Sequence, residues 1–135
     1  MQEPGCQGGR ADTLLIEYHI EGKLPDLNSE IDTAKKHWSN YARTKKAWTT
    51  RCALAARRLK PLKAVHVHCT WRSKTRRIDP DNLAFAVKYI LDGLVVAKVL
   101  PDDSWQHVKS IHHTFVVDKK HQGVDVRLTP DNGDV

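Results

Sequence analysis

Ala64-Val65-His66-Val67-His68-Cys69-Thr70-Trp71 alternates with period two, and the segment after it, Arg72-Ser73-Lys74-Thr75-Arg76-Arg77-Ile78-Asp79-Pro80-Asp81-Asn82, turns that alternation into a helix start. Successive strand side chains point to opposite faces, so Val65, Val67, Cys69 and Trp71 are expected to face a core. His66 and His68 then share the other face. Asp79 before Pro80 has the chemistry of an N-cap followed by a first-turn proline, which predicts a helix from about Pro80 to Ala97. Leu83, Val87, Ile90, Leu91 and Leu94 recur along it on one stripe, the side that a helix buries.

The rest of the chain is arranged around this strand and helix. On the N-terminal side, Leu14 to Ile20 reads as a strand, closed by Glu21-Gly22-Lys23 and the turn-forming Leu24-Pro25-Asp26. From about Ser29 to Leu59 the residues Ile31, Ala34, Trp38, Tyr41, Ala47, Trp48, Cys52, Ala55 and Leu59 recur at helical steps. This predicts one long helix or two, with any interruption near Arg43 to Lys46. On the C-terminal side, His107 to Val117 and Gly123 to Leu128 read as strands flanking Asp118-Lys119-Lys120-His121-Gln122, and so as a hairpin. The expected order is strand, helix, strand, helix, strand, strand: an α+β domain in which a small mixed β-sheet packs with two main helices.

At 135 residues the chain has the size of one domain, here 13–130, between short tails at 1–12 and 131–135. Hydrophobic residues make up 40% of it, enough for a core, yet no apolar run approaches the roughly 20 residues of a membrane span. No membrane association is expected. The start, Met1 to Arg10, lacks the basic-then-apolar layout of a secretory signal. Cys6, Cys52 and Cys69 are odd in number and show no CxxC spacing, which fits a reducing, intracellular setting. A formal charge of +6 favours a polyanionic partner without specifying a site.

Chemistry concentrates where the basic run Arg72, Lys74, Arg76 and Arg77 meets Asp79 and Asp81. Two carboxylates beside a phosphate-binding surface are what metal-assisted phosphodiester hydrolysis requires, because oxygen ligands hold Mg²⁺ and the ion activates both phosphate and water. Locally the same acids also suit a helix cap and a first-turn residue. A second acidic corner, Pro101-Asp102-Asp103-Ser104, follows the helix and alone would be an ordinary turn.

Arg77-Ile78-Asp79-Pro80-Asp81-Asn82-Leu83, then Lys88 with Leu91-Asp92-Gly93-Leu94, then Val99-Leu100-Pro101-Asp102-Asp103-Ser104, together resemble the RusA family of Holliday junction resolvases, in particular its phage and prophage branch. The resemblance extends more weakly to Leu24-Pro25-Asp26-Leu27-Asn28 and the closing strands, covering roughly residues 14 to 129. It implies a homodimeric, Mg²⁺-dependent endonuclease, with Mn²⁺ as the alternative metal, that nicks two strands symmetrically at a four-way DNA junction. The branch implies the cytoplasm of a bacterial or phage-infected cell. The implied metal ligands are Asp79, Asp81 and Asp103, the second residue of its pair, with Asp102 as the alternative third ligand. The family's essential lysine falls four residues after Asp81, where this chain has Phe85; Lys88, about one helical turn on, is the substitute. Its implied role is to neutralise charge on the reacting phosphate or contact a DNA phosphate, against the alternative of a solvated helix face.

Further candidates for DNA contact are Arg72, Lys74, Arg76 and Arg77, with Lys35, Lys36, Arg43, Lys45 and Lys46 on the long helical stretch. His66, His68, His112 and His113 offer imidazole ligands without the Cys or acidic partners of zinc sites, and His66 and His68 are expected near the acidic site or DNA. Trp38, Trp48 and Trp105 are read either as core or dimer packing or as platforms for unpaired bases, and Phe85 as a dimer contact.

Overall fold

Val65, Val67, Cys69 and Trp71 are all buried, as the alternation requires, and they lie on one of the two central strands of a four-stranded sheet. The computed structural model describes residues 16–36 and 38–131. Its elements are β1 (Ile16–Glu21), α1 (Leu27–Lys36), α2 (Trp38–Ala56), β2 (Val65–Ser73), α3 (Pro80–Ala84), α4 (Val87–Val96), β3 (Val108–Val117) and β4 (Gly123–Pro130). Leu14, Leu15, the tail 1–12 and residues 132–135 lie outside the described residues. Asp131, assigned by sequence to the tail, is tied to the sheet: its N–H donates to the Ala64 carbonyl at 2.8 Å.

The sheet order is β1-β4-β2-β3, with β4 antiparallel to β1 and β2, and β3 parallel to β2. This α+β architecture, one mixed sheet with helices, is the fold class expected. The hairpin is not. β3 and β4 are not neighbours, because 118–122 crosses the C-terminal end of β2 and inserts β4 between β1 and β2. Three contacts hold that crossing: Asp118 N–H to Ser73 O at 2.8 Å, Arg72 Nε to His121 O at 2.7 Å, and Gly22 N–H to Gln122 O at 3.0 Å. The physical reason lies in burial. Val124, Val126 and Leu128 are completely buried and need the sheet centre, whereas β3 is exposed along most of its length and fits an edge. The parallel pairing of β2 and β3 is made possible by the helical crossover α3–α4.

The core lies between one sheet face and α2 with α4. Tyr18, Ile20, Val65, Val67, Val124, Val126 and Leu128 meet Cys52, Ala56, Tyr89, Ile90 and Leu94. Gly93 is where α4 meets α2: a Cβ there would lie 2.6 Å from the Cys52 Cβ and 2.8 Å from the Ala53 nitrogen. Two helix boundaries differ from the sequence reading. Helix is present on both sides of residue 37, which lies outside the described residues, and α2 runs uninterrupted through Arg43 to Lys46, where an interruption was expected. The helix from Pro80 is divided at Phe85-Ala86, where Ala86 N–H to Leu83 O, Lys88 N–H to Phe85 O and Tyr89 N–H to Ala86 O close tighter i→i+3 turns and tuck Ala86 into the core.

Candidate metal-dependent nucleic-acid site

Asp79 occupies the N-cap of α3 with an extended backbone, φ −65° and ψ 150°, and its carbonyl accepts from Asn82 at 3.0 Å and Leu83 at 3.1 Å. Its side chain makes no capping hydrogen bond. Asp81 lies in the first turn of the same helix, Pro80 between them. Both carboxylates are exposed, and neither has a hydrogen-bond or ion-pair partner among the described residues. A cap explains the position of Asp79 but does not occupy its oxygens. Lys74, Arg76 and Arg77 lead into this corner, all exposed, so hard anionic oxygens and cations share one end of the molecule.

Asp102 and Asp103 are likewise exposed, in the turn before β3. That turn is held by Ser104 O, which accepts from His107 and Val108 at 3.0 Å each, and His107 O in turn accepts from Val65 N–H at 2.8 Å. Val65 and Val108, the first residues of parallel strands, are paired. Asp103 therefore sits at the N-terminal end of β2, whereas Asp79 and Asp81 follow its C-terminal end. The two acidic corners thus lie toward opposite ends of a nine-residue strand, which itself spans roughly 25 Å. The chain brings Asp79 and Asp81 together and does not bring Asp103 to them. Consistently, no group of three or more His, Cys, Asp or Glu among the described residues is placed to hold a metal ion. The donor chemistry suits Mg²⁺ or Mn²⁺, which take carboxylate and water oxygens, but a single copy supplies only the first two carboxylates at one place.

Lys88 lies near the start of α4, where Glu30 of α1, Lys45 of α2 and Asp92 of α4 surround it. Its ammonium is 5.8 Å from the Phe85 ring centroid and 5.7 Å from that of Tyr89, within cation–π reach. Burial, then the charge and hydrogen bonding of Lys45, hold the Lys88 amine below the usual lysine range, while Asp92 and Glu30 pull it upward. Glu30 is only 3% exposed, and its Oε1 has no hydrogen-bond partner among the described residues. Burial raises its carboxyl above the usual range, with Lys88 opposing. Beside it, Asp26 caps α1 through Ser29 N–H at 2.9 Å and Ser29 Oγ at 3.2 Å. Sequence reading treated Lys88 as a solitary helix residue and missed this pocket of charge.

Of the other predicted DNA contacts, Arg72 is engaged elsewhere, ion-paired with Asp125 and bonded to His121 O. Lys35 and Arg43 are exposed, Lys45 is half-buried and Lys46 exposed on α2, and the side chain of Lys36 lies outside the described residues. His66 and His68 are on the open sheet face and not at the acidic corners. His66 bonds Ser110 Oγ at 2.7 Å and Asp131 at 2.9 Å, and His68 bonds Thr114 at 2.8 Å. His113 faces the helices and accepts from Trp71 Nε1 at 2.9 Å. Trp48 packs against the core beneath Arg51, whose guanidinium is 4.0 Å from its ring centroid. Trp38 and Trp105 are 70% and 93% exposed, so neither is core.

A cleft of about 630 Å³ runs between Ile78, Pro80 and Leu83 on one side and Phe115, Val116 and Val117 of β3 on the other. It adjoins Asp79, and among the described residues no strand pairs with the outer edge of β3. Compared with known proteins, the sequence matches no family model and no curated protein.

Proposed function

We propose that this chain is a divalent-metal-dependent DNA endonuclease acting on four-way junctions as a homodimer, a RusA-type Holliday junction resolvase. The observation that carries the reading is the pair of unspent carboxylates, Asp79 and Asp81, where the basic loop Lys74-Thr75-Arg76-Arg77 enters α3. Basic residues positioned beside such a pair bind a phosphodiester, and the carboxylates hold the hard cation that its hydrolysis uses. When bound, Mg²⁺ polarises the phosphate and lowers the pKa of a coordinated water. Lys88 adds a cation to the same end of the molecule and offsets negative charge on the phosphate. The proposed setting is the inside of a bacterial or phage-infected cell; no helix among the described residues is long and apolar enough to cross a membrane.

A dimer supplies the third carboxylate. The edge strand β3 carries exposed Ile111, Phe115, Val116 and Val117, and an open apolar edge is a site for pairing with another chain. Two-fold, antiparallel pairing of β3 with β3 of a second copy sets the start of one strand beside the end of the other. The Asp103 turn of each copy then approaches the Asp79–Asp81 corner of its neighbour, giving two sites related by symmetry, as paired nicking demands. A second reading, a junction-binding protein that does not cut, is favoured by the absence of a three-carboxylate group within the described residues of one chain.

The test is nicking of a labelled synthetic four-way junction and of a linear duplex, with Mg²⁺, Mn²⁺ or EDTA, comparing wild type with Asp81→Asn. Paired, metal-dependent nicks on the junction that vanish in the variant are expected. Tight junction binding without cleavage under either metal rejects the nuclease reading.

A further inference from the structure

α2 opens on an aromatic pair, the exposed Trp38 and the half-buried Tyr41. Trp38, 70% exposed, has its ring centroid 5.2 Å from that of Tyr41, the two planes inclined by 37°. Tyr41, Lys45 and Thr49 follow Trp38 at helical spacing, with Lys46 alongside, so rings and cations share one face of the helix. Together with Val96 they line a cleft of about 440 Å³. An exposed indole beside a second ring and a cleft is apolar surface open to a partner. The other three tryptophans are not comparable: Trp71 is buried, Trp48 is covered by Arg51 and the core, and Trp105 does not line this cleft.

We infer that Trp38 and Tyr41 form a stacking platform for an unpaired nucleobase of single-stranded DNA, with Lys45 and Lys46 taking the phosphates that flank it. Every base offers a π-face to an aromatic ring, and cations one helical turn away match the backbone charge on either side. The base must be unpaired, because in a duplex both of its faces are already covered by neighbours. Lys45 also lies beside Lys88, so a strand anchored on Trp38 passes over Lys45 toward the α3 corner. The inference rests on the nuclease reading for its use, since it supplies that site with a preference for opened strands; the binding itself needs neither metal nor cleavage.

The experiment measures binding of a fluorescein-labelled oligothymidylate and of a blunt duplex, by anisotropy in EDTA, to wild type, Trp38→Ala and Trp38→Phe, with sedimentation of each variant. Trp38→Ala is expected to weaken oligothymidylate binding by on the order of 10-fold. Duplex binding should change little, and Trp38→Phe should keep most of the affinity. Equal losses on both DNAs, no loss on either, or a fall from dimer to monomer in Trp38→Ala would each overturn the platform, the last by assigning this face to contact between copies. A protein that binds oligothymidylate through Trp38 yet never nicks a junction would sink the nuclease reading and leave the platform standing.

Discussion

Asp81 and Asp103 stand toward opposite ends of β2, a nine-residue strand. No side-chain rotation closes such a gap, so in the proposed enzyme the two must meet between copies. Mixing subunits tests this. Asp81→Asn and Asp103→Asn homodimers are each expected to be inactive. A subunit-exchanged mixture regains cleavage, since in the mixed dimer one site draws an intact Asp81 from one chain and an intact Asp103 from the other. Random exchange leaves about a quarter of the wild-type sites, and each mixed dimer makes single rather than paired nicks. If the mixture stays inactive while wild type cuts, the ligands come from one chain and the two-fold pairing of β3 is wrong.

Gly93 has no room for a side chain, since a Cβ would press on the Cys52 Cβ at 2.6 Å and on two atoms of the α2 backbone, the Ala53 nitrogen at 2.8 Å and the Cys52 carbonyl carbon at 2.9 Å. Backbone cannot rotate aside as a long side chain can. Gly93→Ala is therefore expected to force α2 and α4 apart and cost about 1–3 kcal/mol, read as a lower urea midpoint at unchanged slope. An unchanged midpoint would mean that the helices shift without penalty.

The same glycine shows what could be read from sequence. Leu91-Asp92-Gly93-Leu94 was legible as part of a motif, but its packing role depends on Cys52, 41 positions away by the numbering. Alternation fixed the inward faces of β2 and β4, because it reports which side a residue occupies. It does not report which strand lies next door, so the insertion of β4 between β1 and β2 was invisible and a five-residue connection looked like a hairpin. The Asp79–Asp81 corner was local and legible. The separation of Asp103 from it follows from β2 and β3 being parallel, which no local pattern carries. The burial of Glu30 beside Lys88 depends in turn on how α1 lies against α2 and α3.

Trp71 Nε1–H donates to His113 Nδ1, which requires that nitrogen to be unprotonated. Burial, then the neighbouring His68 and His112, lower the His113 pKa from its ordinary value near 6.5. The unfolded chain therefore binds a proton at higher pH than the folded one. The stabilising contribution is complete above about pH 6.5 and declines as pH falls toward the lower folded value. His113→Gln removes this titration. The stability gap between wild type and variant, measured by urea unfolding, is expected to narrow from about pH 8 to about pH 5; a gap that widens over that range contradicts the direction of the shift.

Lys88 gives a pH prediction for activity. Its amine is lowered first by burial and then by Lys45, so it sheds its proton at a lower pH than an ordinary lysine. If the ammonium is the form that offsets charge on the reacting phosphate, nicking declines as pH rises through that lowered value. Lys45→Met removes both the charge and the hydrogen bond that depress it. The basic limb of the rate profile should then move to higher pH, measured at saturating DNA so that lost phosphate affinity does not enter. Lys88→Arg, cationic throughout the range, should abolish the limb while keeping part of the rate. A limb that stays in place in both variants belongs to another group, and Lys88 would then be a phosphate contact without a part in the chemical step.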